Sequence, residues 1–256
     1  MKLEPNYIMT ADEFIKQIRK AKNSKTLYIM GCFGAPMNDK NKKRYENNNA
    51  YNRQATRTAM IEATDGDTFG FDCCCLIKGC LWGWDAKKTK VYGGAVYNSN
   101  GVPDLGANGM FNKHWVRDIS TDFTKIKPAC IVHMDGHVGV YVGNGEVIEC
   151  TPKWDNCVQS SNLGNLGFKE GHFRIWDNYG YIPCVDYSKY KECDVIPHED
   201  DLKPQLILHY TVKKGDTLTK ISRETGRSID ELVEMNKHKY SHISRNYICV
   251  GWILEV

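Results

Sequence analysis

A cysteine that follows an aspartate at the start of an apolar segment is the first place where chemistry is expected. Cys73 comes directly after Asp72, and the mostly apolar segment 71–82 predicts a buried helix with Asp72 near its N-cap. The N–H groups and dipole of a helix N-terminus lower the pKa of a thiol, and the thiolate is the nucleophilic form of cysteine. The sequence therefore favours Cys73 as a nucleophile.

A thiol nucleophile also needs a base within hydrogen-bond reach and a polar group that orients this base. His137 opens an apolar strand segment in which the small residue Gly139 would let another element approach closely. Glu149 follows His137 by twelve positions and is the candidate for orienting the imidazole. Cys73, His137 and Glu149 are thus the predicted catalytic residues.

The turn between the two strands decides whether His137 and Glu149 share a face, since side chains alternate along a strand. A two-residue turn at 144–145 would place them on opposite faces. A three-residue loop at 143–145, with its last glycine in the left-handed region, would pair residue 139 with residue 149 and place both on one face. The sequence permits either turn.

Capping and periodicity predict the elements around these residues. Thr10 and Glu13 form a Thr-x-x-Glu capping box ahead of apolar residues at helical spacing, which predicts a helix over 11–22 packed on a first strand within 25–30. An antiparallel meander is predicted from three apolar segments, 131–134, 137–142 and 147–150. The fold class is therefore α+β, with N-terminal helices packed on an antiparallel sheet.

Two polar stretches mark the organisation of the chain. The Asn- and Lys-rich stretch 38–52 is expected to be an exposed insertion. The charged stretch 187–204 has two prolines and no apolar period, which is typical of a linker. The predicted division is a catalytic domain at 1–187, a linker at 188–208 and a C-terminal domain at 209–256.

Charge and composition narrow the classes of function. Lys and Arg total 34 against 31 Asp and Glu, a net charge of +3, so the dense basic face of a nucleic-acid-binding protein is not expected. No apolar run approaches the roughly 20 residues that span a bilayer, so membrane insertion is not expected either. The N-terminal segment has an early Glu and Pro and no apolar run like that of a signal peptide. The eleven cysteines are expected to be reduced thiols of a protein made in the cytoplasm.

The segment Phe71-Asp72-Cys73 and the segment 137–145 with Glu149 resemble the signature of the NlpC-type papain-like cell-wall peptidases, in a form similar to clostridial or phage endolysins. The similar parts span most of residues 25–155. The resemblance implies that Cys73 attacks a peptide carbonyl, that His137 acts as the base and that Glu149 positions His137. Tyr28-Ile29-Met30-Gly31 resembles a Tyr-x-x-Gly segment of the family, which implies a role for Tyr28 in the oxyanion site.

This resemblance implies a substrate class and a place of action. The substrate is the peptide stem of peptidoglycan, often cut at a bond from D-glutamate to a diamino acid, by a mechanism that needs no metal or cofactor. The alternative is an amidase that cuts between the sugar lactyl group and L-alanine, as papain-like enzymes of the CHAP type do. Without a signal peptide, the enzyme would reach the wall after lysis or through a phage holin.

Two departures from the family pattern bear on the assignment. Cys74 and Cys75 stand where the family has a small residue followed by glycine, so Asp72 is what assigns the nucleophile to Cys73. The insertion at 35–65 is longer than the usual spacing between the Tyr segment and the Cys. Its role is not indicated by the sequence.

The C-terminal segment carries a second set of signals. The sequence Tyr-Thr-Val-x-x-Gly-Asp-Thr-Leu at 210–218 leads into a helix that stops near Gly226, and a capping box at Ser228 and Glu231 opens a second helix before a closing apolar strand. This order resembles a LysM domain, which implies binding of N-acetylglucosamine-containing glycans. The resemblance places the sugar contacts in the loop after the first strand and the loop after the second helix, at Gly215, Asp216, Thr217, Leu218 and Asn236.

Two other kinds of protein remain open. A zinc protein would draw its ligands from Cys73, Cys75, Cys80, Cys130, His133 and Cys157, although the chain has no Cys-x-x-Cys pair. A non-catalytic wall-binding or phage structural protein would keep the same fold without a reactive thiol. The sequence does not indicate the target bacterium or the oligomeric state.

Overall fold

The computed structural model describes residues 8–167, 171–190, 209–225 and 227–256. It divides into two compact units, Met1–Ile196 and Pro197–Val256, which are taken separately below. The boundary falls within the predicted linker at 188–208, of which residues 191–208 lie outside the described part. The predicted helix stop at Gly226 also lies outside it. No helix among the described residues is long and apolar enough to cross a bilayer.

The described α-helices of the first unit are α1 (Ala11–Lys22), α2 (Asp39–Asn48), α3 (Ala55–Glu62), α4 (Cys73–Leu81) and α5 (Ala107–Asn112). Those of the second unit are α6 (Leu218–Thr225) and α7 (Ile229–Asn236). Short 3-10 helices lie at Phe123–Lys125 and Gly164–Leu166.

The described strands of the first unit are β1 (Met9–Thr10), β2 (Thr26–Tyr28), β3 (Phe33–Pro36), β4 (Phe69–Phe71), β5 (Arg117–Ser120), β6 (Ile131–Met134), β7 (His137–Gly143), β8 (Glu146–Thr151), β9 (Cys157–Leu163), β10 (Phe173–Arg174), β11 (Asn178–Tyr181) and β12 (Val185–Asp186). The second unit contributes β13 (His209–Thr211) and β14 (Ile253–Glu255).

The largest sheet of the first unit has seven strands in the order β10-β9-β8-β7-β6-β11-β5. Strands β6 to β9 form an antiparallel meander, which confirms the meander predicted over its first three strands. A separate sheet has the order β2-β4-β3, with β2 and β4 parallel. The first unit is thus a mixed α+β structure.

Helix α1 begins as its capping box predicts. The Thr10 hydroxyl accepts from the Glu13 N–H, and the Glu13 carboxylate accepts from the Thr10 N–H. Its apolar face, with Phe14 and Ile18 fully buried, packs mainly on α4 and on strands β8 and β9. The expected packing over the strand at 25–30 is wrong, because β2 belongs to the smaller sheet.

The polar stretch 38–52 is only partly the exposed insertion expected from its composition, because seven of its fifteen residues are exposed and four are buried. It forms α2, and the buried Asn52 side chain bonds the backbone N–H and carbonyl of Met30 and the carbonyl of Tyr45. Lys42 is also buried, with its ammonium on the carbonyls at the end of α3. Polar residues enter the interior here because they satisfy backbone groups that would otherwise lack partners.

The main core lies between α1, α4 and one face of the large sheet, where Leu76, Ile77, Val140 and Ile148 are buried. The opposite face of the sheet carries a second buried cluster that includes Tyr141, Val147 and Trp176. Because side chains alternate along β7 and β8, His137 and Glu149 belong to this second face.

The second unit has the order strand, helix, helix, strand. Strand β13 pairs antiparallel with β14, and Ser228 and Glu231 form the predicted capping box at the start of α7. Its core is built from apolar residues of all four elements and their connections: Val212, Leu218, Ile221, Leu232, Val233, Ile243, Leu254 and Val256.

Candidate active site

Cys73 is the first residue of α4, and Asp72 is the N-cap, as predicted. One carboxylate oxygen of Asp72 accepts from the N–H of Cys75 at 2.7 Å, and the other accepts from the N–H of Gly31 at 2.7 Å. Asp72 therefore fixes both the start of the helix and the turn that follows β2. Burial raises the pKa of Asp72 to about 7, although these two N–H groups act in the opposite direction.

The Cys73 thiol does not have the lowered pKa that the helix N-terminus predicts. A hydrogen bond with Cys74 is the main cause that raises its pKa, followed by burial and by the Asp72 carboxylate, whereas the N–H of Val138 lowers it. Hydrogen bonds from Cys73 and Cys75 instead lower the pKa of Cys74. A nucleophilic role for Cys73 would therefore depend on a base that takes its proton.

His137 and Glu149 are in direct contact, with 2.6 Å between His137 Nε2 and Glu149 Oε2. The turn between them is the predicted two-residue turn at 144–145, but the strand register differs from the one expected for that turn. Asn144 and Gly145 both have positive φ, and Gly143 pairs with Glu146, as in a two-residue turn. A bulge before Gly143 then shifts the register by one residue.

The bulge pairs Val140 with Ile148, so that Gly139 faces Glu149. A Cβ placed on Gly139 would lie 3.4 Å from the Cβ of Glu149. His137 and Glu149 consequently share one face of the sheet, which is the arrangement expected from the three-residue loop but reached through a different backbone path.

Glu149 is fully buried between two basic groups. Arg174 Nε donates to Oε2 at 2.7 Å, and the Ser161 hydroxyl donates to Oε1. Burial alone would raise the pKa of Glu149, but the hydrogen bond and charge of His137, the charge of Arg174 and the Ser161 hydroxyl together lower it. Glu149 is therefore held as a carboxylate.

Sequence reasoning missed Arg174 and Ser161. Ser161 pairs with Val147 across the β8–β9 ladder and so faces the same side of the sheet as Glu149. Arg174 comes from β10, which lies parallel to β9. No local spacing could have found either residue, because both reach Glu149 through strand pairing.

The His137 ring stacks on Trp176, with 5.6 Å between ring centroids and 15° between planes. The close approach expected at Gly139 is present, since a Cβ there would lie 2.6 Å from Val147 Cγ1 and 3.2 Å from Trp176 Cη2. Because Nε2 is held by Glu149, Nδ1 is the ring nitrogen left for proton transfer.

Cys73 meets the strand that carries His137 through the backbone. The N–H of Val138, the residue directly after His137, lies close enough to lower the pKa of the Cys73 thiol. In the described part of the chain, no hydrogen bond joins Cys73 and His137 directly. Cys73 thus lies near the backbone of β7 on the main core side of the sheet, and direct contact with the imidazole would require the two side chains to move toward each other.

Tyr28 lies at the end of β2, in parallel register with Phe71 of β4, and so stands beside the Asp72–Cys73 segment. Its side chain is buried, and burial, with Cys73 and Asp72 nearby, raises its pKa well above the usual value. The phenol therefore keeps its proton and can donate. Arg57 of α3 donates to the Tyr28 carbonyl, so the 35–65 insertion is hydrogen-bonded to β2.

The proposed zinc ligands do not come together. Among the described residues, the donor atoms close enough for one ion belong to Asp72, Cys74 and Cys75. Both oxygens of Asp72 already accept backbone N–H groups, from Cys75 and from Gly31. His133 instead bonds Asn108 through Nε2 at 3.0 Å. All ten cysteines in the described ranges are free thiols, as expected.

The residues predicted to contact sugar have different positions in the second unit. Gly215 and Thr217 are exposed near the end of the first loop, and Gly215 has a positive φ. Leu218 is a core residue. Asp216 accepts from the Lys213 N–H and from the Tyr210 hydroxyl, and pairs with Lys220.

Asn236 has no exposed surface. Its amide nitrogen donates to the carbonyls of Leu232 and Glu255, and its oxygen accepts from the Glu255 N–H. The prediction of a side-chain sugar contact at Asn236 does not fit this arrangement. The residue instead joins α7 to β14.

Comparison with known proteins separates the two units. No curated protein matches the chain at a significant level. Residues 210–256 match the LysM domain family. The C-terminal unit is therefore a LysM domain, a type of module that suggests peptidoglycan binding.

Proposed function

We propose that the first unit hydrolyses an amide bond in the peptide stem of peptidoglycan and that the LysM domain holds it on the glycan. The observation that supports hydrolysis best is the buried contact between His137 and Glu149 on strands next to the N-terminus of α4. A base oriented by a carboxylate beside a cysteine at a helix N-terminus is the arrangement that thiol hydrolysis requires.

The proposed reaction begins with proton transfer from the Cys73 thiol to Nδ1 of His137. The thiolate then adds to the amide carbon, and the carbon–sulfur bond forms as the carbonyl oxygen becomes an oxyanion. Collapse of this intermediate breaks the carbon–nitrogen bond while His137 returns the proton to the leaving amine. Water, deprotonated by His137, then hydrolyses the thioester, and Cys73 regains its proton.

Two features assist these steps. The Glu149 carboxylate stabilises the imidazolium, and its lowered pKa keeps it from taking the proton. The oxyanion would be held by N–H groups at the start of α4 and by the protonated phenol of Tyr28. Such a donor contributes about 3 kcal/mol to transition-state stabilisation in acyl transfer.

Hydrolysis is tested by turbidity clearance and mass analysis of fragments from purified peptidoglycan. Cys73→Ala should abolish soluble fragments, whereas Cys184→Ala, a change at a partly buried thiol between β11 and β12, should release them like the parent chain. Cys74→Ala tests the assignment within the triplet. If Cys73→Ala still releases fragments and Cys74→Ala does not, the assignment of the nucleophile is wrong.

The masses of the fragments also distinguish the two bonds. An endopeptidase leaves a new amine on the diamino acid, whereas an amidase leaves a free L-alanine amine and an intact stem. If the parent chain binds several wall types and releases nothing from any of them, the chain is a binding protein and the hydrolase proposal fails.

A further inference from the structure

A pocket of about 350 Å³ opens beside the Glu149–Arg174 pair. It is lined by side chains that include Met134, Lys153, Trp154, His172, Arg174 and Ile175. Met134 pairs with His137 across the β6–β7 hairpin, and Arg174 donates to Glu149. The pocket is therefore connected to His137 through Met134 and to Glu149 through Arg174.

The lining of this pocket is basic. The described lining residues include three basic ones, Lys153, His172 and Arg174, and no acidic one. The charge of Arg174 is partly compensated by Glu149, but Lys153 has no acidic partner within the described ranges. An anionic group entering the pocket would be attracted to it.

The basic groups are gathered around one indole. Lys153 Nζ lies 4.8 Å and Arg174 Cζ 4.7 Å from the ring centroid of Trp154, and the His172 ring stacks on it with centroids 4.5 Å apart. Trp154 holds this position with φ of +63°, a strained value for a bulky residue. Strain of this kind is found where function requires a fixed side chain.

Arg174 retains a donor for a ligand. Its Nε bonds Glu149 and one Nη bonds Thr151 at 3.0 Å, whereas the other Nη has no hydrogen-bond partner among the described residues. This second Nη and Lys153 Nζ are the donors that the pocket offers to a carboxylate. The rings and Ile175 leave an apolar wall for its alkyl part.

We propose that this pocket binds a free carboxylate of the stem peptide next to the scissile amide. The inference rests on the proposed hydrolysis and specifies its substrate class. In a γ-linked D-glutamyl residue, the α-carboxylate is the anion nearest to the reacting carbonyl, so the enzyme selects stems with this carboxylate over stems in which it is amidated.

The test compares two synthetic substrates, L-Ala-γ-D-Glu-L-Lys and the same tripeptide with a D-isoglutamine carboxamide. The parent chain should prefer the free acid by about tenfold or more in kcat/KM, as expected for hydrogen bonds to a charged group. Lys153→Met should lose most of this preference, and the loss should appear mainly as a higher KM for the free acid. Lys127→Met removes another lysine that lies over a ring, that of Tyr181, and should keep the preference.

Binding to the Cys73→Ala protein separates the two proposals. Calorimetry should show tighter binding of the free acid than of the carboxamide, and Lys153→Met in this background should remove the difference. If the protein binds the free acid more tightly but the parent chain cuts neither peptide, the hydrolysis proposal is contradicted and the proposed carboxylate pocket is supported. If the two peptides bind equally, or if Lys153→Met leaves the preference intact, the pocket assignment is overturned.

Discussion

Glu149 links two basic side chains in the interior of the sheet, which is a costly place for a charge. A buried carboxylate is tolerated only when its oxygens are bonded and its charge is compensated. Glu149 meets both conditions, with His137 and Arg174 on one oxygen and Ser161 on the other. At the residue scale, the orientation of the base and the stability of the fold thus depend on one carboxylate.

The first prediction concerns the charge of Glu149. Glu149→Gln keeps the shape but not the charge that stabilises the imidazolium, so kcat/KM should fall by about 100-fold or more, as for comparable changes in triads. Glu146→Gln is the control, because Glu146 lies on the same strand and pairs with Arg19 and Lys22 instead. Equal activity of the two variants would remove Glu149 from the mechanism.

The second prediction concerns Arg174. Arg174→Met leaves the buried carboxylate without a full positive partner, which should lower the free energy of unfolding by about 3 kcal/mol. Arg174→Lys should lose less, because it retains the charge without the fixed guanidinium geometry. Urea unfolding curves at neutral pH measure both changes, and a Met variant as stable as the parent would contradict the account of this ion pair.

The third prediction concerns pH. The pKa of Glu149 in the folded state is below its ordinary value of 4.5, so its contribution to stability is complete above that value and is lost as the pH falls through the lower folded value. Between about pH 6 and about pH 3, the parent should therefore lose more stability than Glu149→Gln. Parallel melting curves at both pH values would show the difference, and equal losses would speak against a lowered pKa.

Sequence reasoning located the residues of the candidate site that belong to local motifs. Cys73 was found from its position after an N-cap, and His137 and Glu149 from the strands on either side of a glycine-containing turn. Arg174 and Ser161 were not predicted, because only the pairing of β8, β9 and β10 brings them to Glu149. The raised pKa of Cys73 was also missed, since it arises from burial and from a neighbouring thiol.

At the element scale, the β7–β8 hairpin determines which side chains share a face. The sequence indicated a turn at 143–145 but not the bulge between Tyr141 and Gly143 that precedes the two-residue turn. The same limit applies to the insertion at 35–65, whose polar composition predicted exposure. The burial of its Asn52 and Arg57 is explained only by the backbone carbonyls that they bind, and the sequence does not reveal these contacts.

The fourth prediction tests the close packing of this hairpin. Gly139→Ala places a methyl group against Val147 and Trp176, so we expect a loss of about 1–3 kcal/mol in stability and a displaced His137 ring. Gly109→Ala in α5 is the control, because its Cβ would meet Leu105 only at 3.6 Å. The melting temperature and kcat/KM should both fall in Gly139→Ala and stay unchanged in Gly109→Ala. If Gly139→Ala leaves both quantities unchanged, β7 can shift to make room for the methyl group.

At the scale of the whole molecule, each unit has an apolar core of its own. Units with separate cores can fold independently. If the proposed hydrolysis is correct, the LysM domain should affect how the chain reaches an insoluble wall and leave the chemistry of the first unit unchanged.

The fifth prediction follows from this division. A chain ending at Tyr190 should cut a soluble stem peptide at the rate of the full chain but clear insoluble peptidoglycan about tenfold more slowly, since binding through the second module raises the local concentration. Assays of the two chains on the soluble peptide and on insoluble peptidoglycan measure both rates. Equal losses on both would show that the first unit needs the LysM domain for its own activity.

The thiol triplet at the start of α4 has a consequence for covalent inhibitors. Cys74 is more exposed than Cys73 and is the thiol whose pKa is lowered, so a small electrophile will alkylate Cys74 first. The adduct will then crowd Cys73 and abolish turnover, although the modified sulfur is not the proposed nucleophile. Peptide mapping of an inactivated sample would therefore identify the more reactive bystander, and a mechanism-based acylating agent is the reagent that will mark Cys73.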